Sequence, residues 1–250
     1  MTKLIIEIGQ NHLGSKETLN TIVDELIEIH NTIGSFIVKF QYWNVDNIYN
    51  KIDLRYQAAK SRELQFINII DQILKLRSYN IESCISLFGA ESWHKTLAFS
   101  LCDYIKYASS EYDMYVKDLI DFPELNNKRI ILSDGYNSEI KAFKCNEFIL
   151  GCVAQYPSLS SDTMNKIDFK KHNGLSCHST DLDAIKFAID HNMLFAEKHY
   201  CLTTQKGTSD FRDLQCSITK KELVLLLDYI KHSDSDFIHK TMHNKRTIKL

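Results

Sequence analysis

The runs HNGLSCHS (residues 172–179) and MLFAEKHYC (residues 193–201) set the reading of the whole chain. Each is a short β-prone stretch that reaches a histidine, His178 or His199, and then turns polar. Between them, residues 180–191 read as a helix. A strand, a helix and a second strand in succession argue for a parallel pair. Side chains two apart share a strand face, so Ser176 points with His178 and Glu197 with His199. Two imidazoles then emerge side by side at one end of a sheet. A single histidine at a strand end is more often a hydrogen-bonded cap. Two on consecutive strands, with Glu197 beside them, point to a divalent metal, because imidazole suits zinc, manganese and iron.

The same rhythm extends outward along the chain. Strands are expected at 3–8, 35–41, 82–87, 103–108, 128–133, 147–153, 173–177 and 194–200. Helices are expected at 16–32, 62–79, 91–100, 112–121, 137–143, 162–168, 180–191 and 219–232. Ser15 precedes a segment whose Leu19, Ile22, Val23, Leu26 and Ile27 recur at helical spacing. Thr219 and Glu222 form a capping-box pattern. Eight strand–helix units fit a (β/α)8 TIM barrel, which takes about 250 residues. A doubly wound open sheet is the alternative, but no G-x-G-x-x-G or Walker loop follows any strand. With two prolines and no linker-like stretch, one domain is expected over 1–233, followed by a C-terminal tail at 234–250.

Composition excludes several classes. The 250 residues are 44% hydrophobic and 25% charged, ordinary for a globular protein. Thirty basic against 32 acidic residues give a net charge of -2, so no basic field calls for nucleic acid. No apolar run is long enough to span a membrane. The opening MTKLIIEIGQNH is too short for a signal peptide and reads as a first strand. Seven scattered cysteines with no C-x-x-C pair read as reduced thiols in a cytoplasmic protein.

In a barrel, function gathers at the C-terminal ends of the strands, and polar groups recur there. The first strand carries Glu7. The second gives Lys39 and Gln41 on one face. Lys106 lies in the fourth, with Ser109 and Glu111 in the loop beyond. Ser133 ends the fifth, Tyr156 follows the sixth, and Ser176 lies on the seventh. A lysine inside an apolar strand needs a partner. Lys39 and Lys106 therefore either pair with Glu7 and Glu197 or, with serines 109, 133 and 176, hold a phosphate or carboxylate.

The strings IIEIGQNHLG, FIVKFQ, YIKYASSE, IILSDG, GCVAQYPS, GLSCHS and AEKHY occur in an order and spacing that resemble the N-acetylneuraminate (sialic acid) synthase family, over about residues 3–230. The resemblance implies a barrel that condenses phosphoenolpyruvate with an N-acylated hexosamine aldehyde. The products are a nonulosonic (sialic-type) acid and phosphate. It implies metal binding by His178 and His199, usually of Mn2+, with Co2+ or Mg2+ as alternatives. It gives Lys39, Lys106, Ser109, Ser133 and Ser176 to the phosphoenolpyruvate anion. Tyr156, and Gln41 beside Lys39, fall on the substrate side. Glu7 becomes an acid beside the metal, Glu111 and Asp210 acids near the sugar, and Glu197 a further candidate for moving protons.

The chain departs from the family pattern at several points. Cys177 replaces the acid of S-D-H, Ala154 replaces a polar phosphate contact, and Thr208-Ser209-Asp210 stands for G-P-D. Family members also carry a C-terminal antifreeze-like domain that covers a partner's site. The sequence stops where the linker to it would begin, which leaves dimerisation open. Either a homodimer partner or a separate lid protein completes the site, or, the favoured expectation, the acceptor is a different or broader one than N-acetylmannosamine. The competing reading is a non-catalytic homologue that binds sugar or phosphate in a polysaccharide pathway.

Overall fold

A computed structural model describes residues 1–136, 139–142, 144–209 and 211–246, with side chains through residue 233. Its eight strands are β1 (Lys3–Gly9), β2 (Ile37–Trp43), β3 (Ser83–Phe88), β4 (Tyr104–Tyr107), β5 (Arg129–Ser133), β6 (Glu147–Cys152), β7 (Gly174–Cys177) and β8 (Phe195–His199). All neighbours are parallel, in sequence order, and β8 pairs with β1 to close a barrel. Every expected strand is present, with ends moved by no more than two residues. The fold is a (β/α)8 TIM barrel.

The helices are α1 (Lys16–Thr32), α2 (Val45–Ile48), α3 (Tyr56–Lys60), α4 (Phe66–Ser78), α5 (Ser92–Leu101), α6 (Tyr112–Asp121), α7 (Ser160–Asn165), α8 (Asp183–Asp190), α9 (Arg212–Gln215) and α10 (Lys220–Arg246). Ser15 caps α1, its Oγ accepting from Thr18 N at 3.1 Å. Before α10, Thr219 N donates to Glu222 Oε2 at 2.8 Å, one half of the expected capping box. The helix expected at 137–143 is not seen among the described residues: 139–142 are turn and irregular chain, and residues 137, 138 and 143 lie outside the description. The short α2, α3 and α9 were not expected from the sequence.

Period two divides the strands' apolar residues into two layers. One set, including Leu4, Ile6 and Ile8 of β1, packs against Leu19, Ile22, Val23 and Leu26 of α1 and their equivalents around the barrel. Each such fully buried side chain contributes roughly 1.5–3 kcal/mol. The other set, Ile5, Ile37, Cys84, Tyr104, Ile131, Leu150 and Phe195, forms a separate cluster inside the barrel. At the matching position of β7 stands Gly174. This inner layer plugs the barrel and sets the floor of what lies above it. No helix among the described residues is long and apolar enough to cross a membrane.

Candidate active site

Two residues beyond each floor position, toward the C-terminal end, every strand presents the next inward side chain. These are Glu7, Lys39, Ser86, Lys106, Ser133, Cys152, Ser176 and Glu197, and all of them line a cavity of about 600 Å³. Seven of the eight, all but Cys152, are polar or charged, at a depth where branched apolar residues dominate most barrels. One further step brings Gln41, Ala108, Ala154, His178 and His199 to the same cavity.

The lysines are paired. Lys39 Nζ contacts Glu7 Oε2 and lies 3.9 Å from Glu197 Oε1. Lys106 Nζ contacts Glu197 Oε1 and donates to Ser176 Oγ at 3.4 Å. Ser176 Oγ donates to Glu197 Oε1 at 2.9 Å. Glu7 is fully engaged: Gly9 N donates to Oε1 at 2.7 Å and Gln41 Nε2 to Oε2 at 3.2 Å. Gln41 is held in turn by Trp43 Nε1, 3.0 Å from its Oε1. Burial lowers Lys39 to about 8. Burial alone would raise Glu197, but Lys106, Lys39 and the Ser176 hydroxyl hold it below the usual carboxylate range.

Several polar atoms here have no partner among the described residues: Glu197 Oε2, Ser133 Oγ, Ser86 Oγ and His199 Nδ1. Orphaned buried groups are costly and mark places where a polar ligand fits. Ser109 Oγ accepts from Gly135 N at 2.9 Å, and its hydroxyl lies beside the Cys152 sulfur. Glycine at 135 is required for that approach, because a Cβ there would lie 2.4 Å from Ser109 Oγ.

Of the residues singled out from sequence, one described residue is not brought to the cavity, and one cannot be placed. Glu111 does not line it; burial raises its carboxyl to about 7, and its charged neighbours are Lys95 and Asp118. Asp210 lies outside the described residues. Asp213 on α9, which sequence reading passed over, does line the cavity. Its Oδ2 is 4.0 Å from His199 Nδ1 and accepts from Gln10 N at 3.4 Å, and burial pushes it up to about 6. The signal available was a second acid three residues beyond Asp210. Tyr156 stacks on His178 with centroids 3.8 Å apart. Cys177 points away from the cavity, 3.0 Å from Ser179 Oγ, as a packing residue.

A family model described as the NeuB family matches residues 26–238. The chain belongs to the NeuB family. No curated protein sequence matches it. Among solved structures, N-acetylneuraminic acid synthetase from Leptospira borgpetersenii, in complex with citrate, superposes with a TM-score of 0.76 at 19% identity, covering 94% of this chain and 85% of that one. The spore coat polysaccharide biosynthesis protein spsE of Bacillus subtilis gives 0.68 at 20% identity, over 96% and 70%. A truncated 3-deoxy-D-arabino-heptulosonate 7-phosphate synthase from Thermotoga maritima gives 0.61 at 10% identity, over 94% and 87%. At these identities the likeness is one of fold.

The histidines of this NeuB-family barrel suit a metal. Their rings are 5.6 Å apart, centroid to centroid. Burial lowers His178 to about 4 and His199 well below its usual value, which keeps both in the neutral, ligating form. His178 Nδ1 donates to Val153 O at 3.0 Å, which leaves Nε2 with the lone pair. His199 Nδ1 is the orphan noted above. Among the described residues no third His, Cys, Asp or Glu completes a ligand cluster. The described residues therefore offer two imidazoles, with the other positions open to water or substrate.

Proposed function

We propose that the chain condenses phosphoenolpyruvate with an N-acylated hexosamine aldehyde to give a nonulosonic acid and phosphate. The observation that carries this reading is the paired layer Lys106–Glu197–Ser176 with the orphaned Ser133 hydroxyl, lying directly beneath two neutral histidines. A divalent ion on His178 and His199, Mn2+ by preference, would act as a Lewis acid toward the aldehyde oxygen. The remaining work falls to the chain itself. Lys106, Ser109, Ser133 and Ser176 hold the phosphoenolpyruvate anion, and Lys39 supports it from the Glu7 side. Positioning of this kind, with fixed and buried donors, is a large part of catalysis. C3 of phosphoenolpyruvate then attacks the aldehyde carbon, water adds at C2, and phosphate leaves by C–O cleavage. Glu197, with Oε2 free, is placed to orient that water or take its proton. Asp213 and Tyr156 flank the acceptor side.

The test is incubation of the chain with phosphoenolpyruvate and a panel of N-acylhexosamines, with and without Mn2+. Equal release of phosphate and of a ulosonic acid, detected by mass spectrometry, is expected only with metal. Binding of both substrates without any product would instead favour a non-catalytic barrel.

A further inference from the structure

The charges of the cavity fall into two zones. Five cations line it: Lys39, Lys106, Arg55, Arg62 and Arg212. The lysines are deep and matched by Glu7 and Glu197. Arg55 is tied to Asp53 through two nitrogens, at 3.0 and 2.7 Å. Among the described residues, that leaves Arg62 and Arg212 with only Asp213 as a cavity-lining carboxylate, a single acid near two cations.

Arg62 is oriented in advance. Its Nε donates to Gln10 Oε1 at 3.2 Å, and its guanidinium lies over the Phe211 ring, 4.5 Å from the centroid. Among the described residues its terminal nitrogens carry no hydrogen bond. The segment that bears it, residues 44–65 with α2 and α3, is fastened down. Val45 N donates to Glu63 Oε1 at 3.1 Å, Tyr56 OH to Asp46 Oδ1 at 2.7 Å, and Asn47 Nδ2 to Gly89 O at 2.9 Å. Gly14, with φ +79°, lets this segment close against the loop after β1: a Cβ there would lie 2.3 Å from Ser61 O, next to Arg62. A guanidinium fork on a fixed mount is matched to a carboxylate or phosphate and loses little freedom on binding.

Its place around the barrel separates it from the serines given to the first substrate; of that substrate's proposed contacts only Lys39, on β2, lies on this side. The anion-binding serines follow or lie on β4, β5 and β7, and the histidines belong to β7 and β8. Arg62 hangs on Gln10, just after β1, on the far side of the histidines. Resting on the synthase reading above, we propose that the acceptor is itself anionic, with a carboxylate or phosphate remote from its aldehyde, and that Arg62 and Arg212 bind that group.

The test uses the full chain with Mn2+ and phosphoenolpyruvate, and three acceptors: a neutral N-acylhexosamine, its 6-phosphate and its 6-uronate. Consumption of phosphoenolpyruvate gives kcat and KM, and calorimetry gives equilibrium binding of each sugar. One anionic acceptor is expected to exceed the neutral sugar by about tenfold or more in kcat/KM, mostly through KM, the size of a charge-assisted hydrogen bond. The 6-phosphate and 6-uronate arms show which anion is meant. Arg62→Gln is expected to cut that preference about tenfold, and Arg62→Lys to restore part of it. Turnover that favours the neutral sugar, or Arg62→Gln lowering all three acceptors by one factor, overturns the assignment alone. If no acceptor consumes phosphoenolpyruvate, the synthase reading falls and the acceptor assignment with it.

Discussion

His178 and His199 stand with ring centroids 5.6 Å apart because β7 and β8 pair Ser176 with Glu197, and each histidine follows its paired residue by two. A spacing set by strand register is rigid and does not depend on a loop. It also makes the metal assignment sharp. One Mn2+ per chain is expected in equilibrium dialysis, and chelator should remove it together with any turnover. His178→Ala and His199→Ala should each lose the ion, because two imidazoles are all that the described residues offer it. A double variant that keeps a full equivalent would place the ion elsewhere.

The buried pair Lys39–Glu7 makes a prediction about stability and binding together. Lys39→Met leaves Glu7 charged and unpaired in a fully buried position. Removing one partner of such a pair costs about 3–5 kcal/mol, readable as a fall in the urea midpoint. Adding Glu7→Gln should recover most of that loss. Affinity for phosphoenolpyruvate should stay weak in the double variant. Recovery of both would make Lys39 a purely structural residue.

The barrel was legible because its code is local. Period two along β1 to β8 fixes which side chains point inward, and so Glu7, Lys39, Lys106, Ser176 and Glu197 could be placed on one face from sequence. Where the strands end, that code ends. Glu111 follows β4 by four residues and starts α6, whose turn carries the carboxyl toward Lys95 and Asp118 in the helix layer. Asp213 became visible only when α9 was seen to fold over the mouth. The segment 44–65 has no strong helical period, and its two short helices are held by side-chain ties that no propensity announces. The ion pairs were left open by sequence, since a lysine's partner depends on which strands meet.

Stability should fall on the acid side in a defined window. Burial lowers His12 and His178 to about 4 from an ordinary value near 6.5, and lowers His199 in the same direction. Between those limits the unfolded chain binds more protons than the folded one, so folding stability rises with pH from 4 to 6.5. His12 and His178 each contribute on the order of 3 kcal/mol to that rise, and His199 adds in the same direction. His12 Nδ1 accepts from Gly14 N at 3.1 Å, a bond that protonation would break. His12→Asn keeps an acceptor there and cannot titrate. Urea unfolding of the metal-free protein at a series of pH values should show a shallower acid limb for this variant. An unchanged limb would mean that His12 is accessible to protons in the folded state.

Ser133 separates a ligand-binding role from a structural one. Its Oγ is buried, lines the cavity and has no partner among the described residues. Ser176, by contrast, is bonded to Glu197 at 2.9 Å. Removing an unsatisfied hydroxyl relieves a desolvation cost of about 1–3 kcal/mol, less what the lost oxygen contributed to packing. Ser133→Ala is therefore expected to leave the unliganded protein as stable as wild type or up to about 1 kcal/mol more so. Ser176→Ala strips a hydrogen bond from a buried carboxylate and should destabilise it by about 1.5–3 kcal/mol. Both should weaken phosphoenolpyruvate binding, measured by calorimetry. Ser133→Ala that destabilises the free protein while leaving phosphoenolpyruvate affinity intact would show that its hydroxyl serves the fold, and the anion pocket would have to be drawn without it.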